Sequence, residues 1–170
     1  HLNAATTPMR DVLSDPVLAD TKMMSENFDG SCDKNVSRKR RAIYHNAFQD
    51  SMRQFLRGDE GAAGSFMAQV LNRSTEQGNI QYITNNNGFT MMDLVSYDSR
   101  HNEANGEYNL DGPYWNFSWN CGVEGVSRKK EVLQLRRQQL KNAWILNVFQ
   151  QGTPLIYAGD EFGNSQKGNN

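Results

Sequence analysis

Short segments of β-forming residues, each ending in polar residues, alternate along this chain with segments of helical spacing. We predict strands at residues 1–5, 22–25, 80–84 and 153–158. We predict helices that start at Thr7, Arg40, Ser65, Phe89 and Ser127, the second of which ends at Gly58 and the last at Gly152. Because neighbouring parallel strands need a helical crossover between them, this order predicts an α/β fold with a parallel sheet.

Polar residues stand directly after three of the predicted strands. Glu26 follows residues 22–25, residues 85–87 are three asparagines that follow residues 80–84, and Asp160 with Glu161 follows residues 153–158. Parallel strands end at a common edge, where α/β barrels and open α/β sheets bind their ligands. The sequence therefore predicts a ligand site at this edge, although for Asp160 and Glu161 a role in organising their loop by hydrogen bonds is favoured.

A long polar segment follows the helix predicted at Phe89. Residues 98–121 are dense in Asn, Gly, Asp and aromatic residues, and compact domains rarely keep so long a loop unless it packs or binds something. Flat aromatic faces mixed with amides and carboxylates suit a carbohydrate, whose C–H faces stack on rings and whose hydroxyls need hydrogen-bond partners. An ordered surface loop is the alternative, and composition leaves both open.

The charge and cysteine content exclude several classes of partner. With 18 basic and 19 acidic residues the net charge is −1, so we expect no nucleic acid, and the basic residues 38–41 are predicted to form a solvated helix face. No apolar run approaches the roughly 18 residues of a membrane span. Cys32 and Cys121 lack metal-binding or disulfide-framework spacing. We therefore predict no metal, no cofactor and a reducing, cytoplasmic compartment.

Three segments carry a resemblance to a known family: SDPVLADTKMMSENFD, NNNGFTMMDLVSYDSRHNEANGEYNLDGPYWNFSWNCGVEG and QGTPLIYAGDEFGNSQKGNN. They resemble the isoamylase and glycogen-debranching (pullulanase-like) branch of the α-amylase family, and HNEANGE and SWNCGVEG are specific to it. The resemblance implies a (β/α)8 TIM barrel, of which residues 1–170 would be one partial domain supplying about strands four to eight. Because a barrel needs roughly 250 residues, the expectation is a fragment of a longer chain, or a barrel whose first half lies on another chain.

The resemblance also implies an active-site pattern from which this chain departs. Retaining glycosidases use a carboxylate nucleophile and a carboxylic acid, and the family adds a third carboxylate that steadies the transition state. Glu26 matches the general acid. Asn87 stands in place of the transition-state Asp, with Asn86 in place of the adjacent His. Nearer the start of the chain, Asn3 stands in place of the nucleophile and His1 in place of an Arg.

Amides at these positions predict weak catalysis. An amide has nearly the shape of a carboxylate, but it is a poor nucleophile and lacks the charge that stabilises a glucosyl cation. Loss of a central catalytic group commonly lowers the rate by several powers of ten. The resemblance further implies a cleft that is lined or braced by a second set of residues, for which sugar contact and simple packing remain open: His101, Asn102, Asn105, Glu107, Trp115 and Trp119.

Three functions follow, in order of preference. The first is a debranching-type α-1,6-glucosidase scaffold with impaired catalysis, which binds an α-glucan or supports an active homologous subunit. The second is an active hydrolase of α-1,6 branches with a carboxylate recruited from elsewhere, for example Asp29 or Asp160. The third is a purely structural assembly subunit, which would bind no glucan.

Overall fold

A computed structural model describes residues 7–25, 40–71 and 78–170. Its centre is a sheet of four parallel strands whose spatial order equals their order in the chain. The strands are β1 (Met23–Ser25), β2 (Arg41–Tyr44), β3 (Gly78–Gln81) and β4 (Thr153–Pro154). The α-helices are α1 (Thr7–Ser14), α2 (Asn46–Arg57), α3 (Ala62–Leu71), α4 (Met91–Leu94) and α5 (Lys130–Phe149). Short 3-10 helices cover Pro16–Leu18, Glu103–Asn105 and Asp160–Phe162.

The predicted α/β class with a parallel sheet is confirmed. Ser25 lies opposite Ile43 in the β1–β2 pair, and Tyr44 lies opposite Ile80 in the β2–β3 pair. The short β4 continues the sheet beside β3, with Gln81 opposite Pro154. The helices α2 and α3 connect β2 to β3, while α4, the polar loop and α5 connect β3 to β4.

The helix predicted from Arg40 is wrong over its first six residues, 40–45. Arg41–Tyr44 is a central strand that pairs with both β1 and β3, and the helix begins at Asn46. Ile43 also fits the helical spacing of the later residues, so local periodicity extended the helix backwards, and pairing on both edges overrides it. Arg41 therefore lies on a strand and not on a helix face. The predicted end is confirmed, because Gly58 caps α2 with φ 86°.

Several other boundaries differ from the prediction. The helix α3 begins at Ala62, before Ser65, and α5 begins at Lys130, after Ser127, whose hydroxyl accepts a hydrogen bond from the Lys129 amide at 3.2 Å. The predicted strand 80–84 is β3, which ends at Gln81, and the predicted strand 153–158 reduces to β4 with one further bond from the Leu155 amide to the Gln81 carbonyl at 2.8 Å. The residues that follow Gln81 and Pro154 are therefore not held in the sheet as strand residues.

The core lies between the helices α2, α3 and α5 and the segment that follows β3. Phe48 and Met52 of α2 are fully buried against Ile83 and Phe89, and Ala143 brings α5 onto the same cluster. Burial of apolar side chains of this size supplies about 1.5–3 kcal/mol each. The cluster fixes the carboxyl end of β3 against the first turns of α2. No helix in the described part of the chain is both long and apolar enough to cross a bilayer.

Candidate functional site

A cleft of about 540 Å³ opens at the carboxyl end of β3. It lies between the first turns of α2, the segment that follows β3 and the tip of the long polar loop. We call it the asparagine cleft, and the residues that line it are Asn46, Gln49, Asp50, Arg53, Asn85, Asn86, Asn87, Pro113 and Trp115. Its volume falls within the range of about 300–1,000 Å³ that is common for small-molecule sites.

The residues just before the three asparagines are firmly anchored. The Ile83 carbonyl accepts hydrogen bonds from Arg53 Nε at 2.7 Å and from Gln49 Nε2 at 3.1 Å. One residue earlier, the Tyr82 hydroxyl donates to Asn46 Oδ1, and Tyr82 itself is buried. The backbone therefore reaches the cleft at a fixed position, from which the following side chains emerge.

The three asparagines divide into one that shapes the turn and two that face outward. Asn85 Oδ1 accepts the Asn87 amide at 2.9 Å, an Asx turn that holds the local backbone. Asn86 and Asn87 are exposed, and their side chains make no hydrogen bond to any part of residues 7–25, 40–71 or 78–170. Each therefore presents an unused carbonyl and an unused amide group to the cleft.

Two charged side chains, those of Arg53 and Asp50, line the asparagine cleft. Arg53 is only 5% exposed, and burial lowers its pKa to about 10, an effect that nearby Asp50 opposes. Burial also raises the pKa of the Asp50 carboxyl, while the charge of Arg53 acts in the other direction. Since Arg53 remains cationic near neutrality, the two charges balance when Asp50 is ionised. The lining therefore suits a neutral, hydroxyl-rich ligand better than a strongly charged one.

Asp160 joins the ends of two strands and does not line the cleft. It is 4% exposed, its Oδ2 accepts the Thr84 hydroxyl, and its Oδ1 accepts the Met91 amide at 2.9 Å. Glu161 accepts the Gly159 amide at 2.8 Å. Both carboxylates thus organise the segment after β4 and the start of α4. This arrangement speaks against recruitment of Asp160 as a replacement catalytic carboxylate.

Asn102 lies within the protein and not at the cleft. Its exposure is 0%. Its Nδ2 donates to the Asp111 carbonyl at 2.9 Å and to Asn170 Oδ1 at 2.7 Å, while its Oδ1 accepts the Asn170 amide at 2.8 Å. The side chain therefore ties the polar loop to the last residues of the chain.

The neighbouring motif residues extend this connection. Asn105 Nδ2 donates to Asp111 Oδ2 at 2.6 Å, and Asn105 Oδ1 accepts Asn169 Nδ2 at 2.8 Å. Glu107 is exposed, and its carbonyl accepts the Leu110 amide at 3.0 Å. These residues lie outside the lining of the asparagine cleft, and sugar contact remains a prediction for them.

His101 lies near the start of the same loop, just before the 3-10 helix Glu103–Asn105. Its amide donates to the Gly168 carbonyl at 2.7 Å, and its ring lies edge-on to Tyr97 with 5.3 Å between centroids. Its Nε2 is 3.1 Å from Glu124 Oε1. His101 therefore also contributes to the connection between the loop and the last residues, and a sugar contact for it stays a prediction.

The two predicted tryptophans have different environments. Trp115 is 68% exposed and lines the asparagine cleft beside Asn86 and Asn87. Trp119 is partly buried, its amide donates to the Leu94 carbonyl at 2.9 Å, and it lines a small pocket of about 30 Å³ that Arg53 also lines. The structure thus brings Trp115 together with the asparagines and places Trp119 in a packing position.

Four predicted positions lie outside the described residues. They are His1, Asn3, Glu26 and the alternative carboxylate Asp29. Within residues 7–25, 40–71 and 78–170, no group of three or more His, Cys, Asp or Glu side chains is placed to hold a metal ion. Cys121 is buried and unpaired, and burial raises the pKa of its thiol.

Sequence reasoning missed one wall of the cleft. Asn46, Gln49, Asp50 and Arg53 lie at positions i, i+3, i+4 and i+7 of α2, which is one face of a helix. This polar stripe was visible in the sequence beside the apolar one. The wall is not predicted because a polar stripe on an amphipathic helix is equally typical of a solvated face.

Comparison with known proteins finds relatives that align with nearly all of the chain. A "Glycogen operon protein GlgX homolog" of Mycobacterium bovis is 37% identical over 170 residues, which cover 94% of this chain and 24% of that protein. "Isoamylase 1, chloroplastic" of Oryza sativa is 37% identical over 180 residues, covering 98% and 22%. "Glycogen debranching enzyme" of Erwinia tasmaniensis is 39% identical over 171 residues, covering 94% and 26%.

The chain spans about a quarter of the length of these curated relatives. No protein-family model matches it.

Proposed function

This chain belongs to the isoamylase and glycogen-debranching branch of the α-amylase family, and from that membership we propose that it binds α-glucan in the asparagine cleft but is impaired in the hydrolysis of α-1,6 branches. The relatives' names refer to glycogen, to debranching and to isoamylase. A polymer of glucose is therefore the ligand class to test first.

One observation carries the binding proposal: two asparagine side chains that have no hydrogen-bond partner among the described residues line the same cleft as an exposed tryptophan. An amide offers one acceptor and two donors, which match the alternating donor and acceptor demands of vicinal sugar hydroxyls. The Trp115 ring offers a flat apolar face for the C–H groups of a pyranose. Exposed Asn86 and Asn87 lose little by exchanging water for a sugar, whereas a buried unpartnered amide would be costly.

The proposal of impaired hydrolysis rests on charge. Asn87 stands where the family pattern has a carboxylate, and an amide does not stabilise the positive charge that develops on the anomeric carbon. Asp50 is the carboxylate that lines the cleft among the described residues, and it lies on α2 and not on a strand end. The engagement of Asp160 by Thr84 and Met91 removes a second candidate.

We further propose that residues 1–170 form one partial (β/α)8 domain, corresponding to about strands four to eight. The strand order supports this, because it follows the chain without reversal. A doubly wound sheet instead reverses its order at a switch point. The remaining strands would come from the rest of the protein or from a homologous active subunit, and determination of the structure of the full-length protein tests this directly.

Binding is tested by titration calorimetry of the full-length protein with maltotriose. We expect the double variant Asn86→Ala/Asn87→Ala to weaken binding by about tenfold, the equivalent of one to two lost hydrogen bonds. Gln138→Ala, which removes an exposed amide from α5, is the matched control and should leave affinity unchanged. Absence of binding by the unmodified protein, or equal binding by the double variant, would refute the proposal.

Impaired hydrolysis is tested by measuring reducing ends released from a branched glucan. We expect a rate several powers of ten below that of an active isoamylase assayed in parallel. Rapid turnover that the Glu26→Gln variant abolishes would show instead that the protein is an active debranching hydrolase.

A further inference from the structure

The chain contains two asparagine–glycine pairs, Asn87-Gly88 and Asn105-Gly106. An asparagine that precedes glycine is chemically reactive, because the amide nitrogen of the next residue can attack the side-chain carbonyl carbon and glycine has no Cβ to hinder the approach. Both asparagines are exposed to solvent. Their hydrogen bonds nevertheless differ, and this difference predicts which of the two pairs reacts.

The reacting groups of the Asn87-Gly88 pair are not engaged by the described part of the chain. The Asn87 side chain makes no hydrogen bond to residues 7–25, 40–71 or 78–170, and within the same ranges the Gly88 amide donates to no acceptor. The Asx turn formed by Asn85 holds the Asn87 amide at 2.9 Å, one residue before the amide that would attack. The nitrogen of Gly88 and the Cγ carbon of Asn87 can therefore meet without loss of any of these hydrogen bonds.

The fold requires the glycine of this pair. Gly88 has φ 101°, a conformation that residues with a side chain rarely adopt. A Cβ at this position would lie 2.8 Å from Asn116 Oδ1, the atom that accepts the Phe89 amide at 3.1 Å. A larger residue would displace that contact, so the turn keeps a glycine directly after Asn87.

The Asn105-Gly106 pair is held by hydrogen bonds at each reacting group. Asn105 Nδ2 donates to Asp111 Oδ2 at 2.6 Å, and Asn105 Oδ1 accepts Asn169 Nδ2 at 2.8 Å. The Gly106 amide donates to the Glu103 carbonyl at 3.3 Å. Because these contacts must open before the attack, and opening them costs free energy, the folded protein protects Asn105.

We propose that Asn87 is a site of spontaneous deamidation, which converts an amide of the asparagine cleft into a carboxylate. The lone pair of the Gly88 nitrogen forms a bond to Asn87 Cγ. The bond from Cγ to Nδ2 then breaks, and Nδ2 leaves as ammonia with the proton that the Gly88 nitrogen gives up. Water opens the resulting succinimide at Cγ to give aspartate, or at the backbone carbonyl carbon to give isoaspartate. In sum, a water molecule is consumed and an ammonia molecule is released, without oxidation or reduction.

The reaction adds a negative charge to the asparagine cleft. Both products carry a carboxylate at position 87, where the family pattern also has a carboxylate, and aspartate has nearly the shape of the amide that it replaces. The unmodified and the deamidated protein therefore present clefts of different charge to a ligand. This inference goes beyond the proposed function and does not depend on it, because no glucan takes part in the reaction.

The test follows the full-length protein during incubation at mildly alkaline pH, with peptide mapping by mass spectrometry. We expect the peptide that contains Asn87 to gain about one dalton, at a rate at least about tenfold higher than the peptide that contains Asn105. In urea the two rates should become similar, because unfolding removes the bonds that protect Asn105. Asn87→Gln keeps an amide but would have to form a larger ring, and it should abolish the change at this position.

Ion-exchange chromatography identifies the product by its charge. The modified protein should elute with the Asn87→Asp variant and apart from the unmodified protein. The proposal is overturned if Asn87 stays intact in the folded protein while the protein in urea deamidates, or if Asn105 reacts as fast as Asn87 in the folded protein. An acidic form that appears equally fast in Asn87→Gln would also overturn it.

Discussion

The Thr84 hydroxyl donates a hydrogen bond to the Asp160 carboxylate and thereby connects the chain after β3 with the chain after β4. These residues are 76 positions apart, and both are buried. The same carboxylate accepts the Met91 amide at the start of α4. Three segments that lead toward the candidate site therefore depend on one side chain for their relative position.

Replacement of Asp160 should destabilise the protein. Asp160→Ala leaves the Thr84 hydroxyl and the Met91 amide without an acceptor, and each buried unpaired group costs about 1–3 kcal/mol. We expect the free energy of unfolding to fall by about 2 kcal/mol or more, as measured by urea denaturation. Glu161→Ala is the control, because Glu161 is exposed and accepts one amide, and it should cost clearly less.

The loss of stability caused by Asp160→Ala should also depend on pH. Burial raises the pKa of the folded Asp160 carboxyl above its ordinary value of 3.8, while the bonds from Thr84 and Met91 act in the other direction. As pH rises above 3.8, the unfolded chain releases this proton before the folded one does, so the wild type loses stability relative to Asp160→Ala. The difference between the two proteins should therefore shrink from pH 4 upward. A difference in the free energy of unfolding between the two proteins that grows as the pH rises from 4 would contradict this expectation.

Arg136 should be far more sensitive to substitution than its neighbour Arg137. Arg136 is buried, and its guanidinium donates to the Gly125 carbonyl at 2.7 Å, to the Asn120 carbonyl at 3.0 Å and to the Val123 carbonyl. Arg136→Lys cannot reproduce this fork of donors. We expect it to lower the free energy of unfolding by about 2–3 kcal/mol.

Arg137→Lys provides the matched control. Arg137 is exposed on the same helix, so the substitution should change stability by less than about 0.5 kcal/mol. Hydrogen exchange measured by mass spectrometry gives a second readout, since Arg136→Lys should accelerate exchange in residues 120–125. Equal stability of the two variants would show that the carbonyl contacts contribute little.

Trp115 and Trp119 should differ in what their removal affects. Trp115→Ala removes the exposed ring that lines the asparagine cleft, and it should weaken maltotriose binding about tenfold with little effect on unfolding. Trp119→Ala removes a partly buried ring that packs near Arg53, and it should cost about 2–3 kcal/mol of stability while folded protein keeps most of its affinity. Calorimetry and thermal unfolding on both variants check this. If only Trp119→Ala weakened maltotriose binding, Trp119 and not Trp115 would be the ring that contacts the sugar.

The class of fold could be predicted from the sequence because it depends on local patterns, whereas a ligand site at the strand ends stays a prediction. Short β-forming segments alternate with amphipathic helices, and the three asparagines at residues 85–87 directly follow the predicted strand 80–84. The structure confirms the α/β class and places these asparagines in a cleft at the end of β3. Among the described residues, Arg41–Tyr44 forms a strand where the pattern predicts a helix, since pairing with strands on both sides outweighs its local spacing.

Features that depend on distant partners could not be predicted. A polar residue such as Asn102 is expected in water, yet it is fully buried because Asn170 and the Asp111 carbonyl satisfy its amide. The burial of Asp160 likewise requires Thr84, which lies far away in the sequence. Neither pairing leaves a periodic signal, so a single sequence contains no means to find it.

The two backbone contacts of the Arg53 guanidinium affect the thermodynamics of ligand binding in the cleft. One guanidinium donates both to the Ile83 carbonyl, just before the three asparagines, and to the Asn116 carbonyl, just after Trp115. The opposing walls of the cleft are therefore preorganised at a set width during folding. We therefore expect a ligand of this cleft to lose little of its affinity to further ordering of the protein.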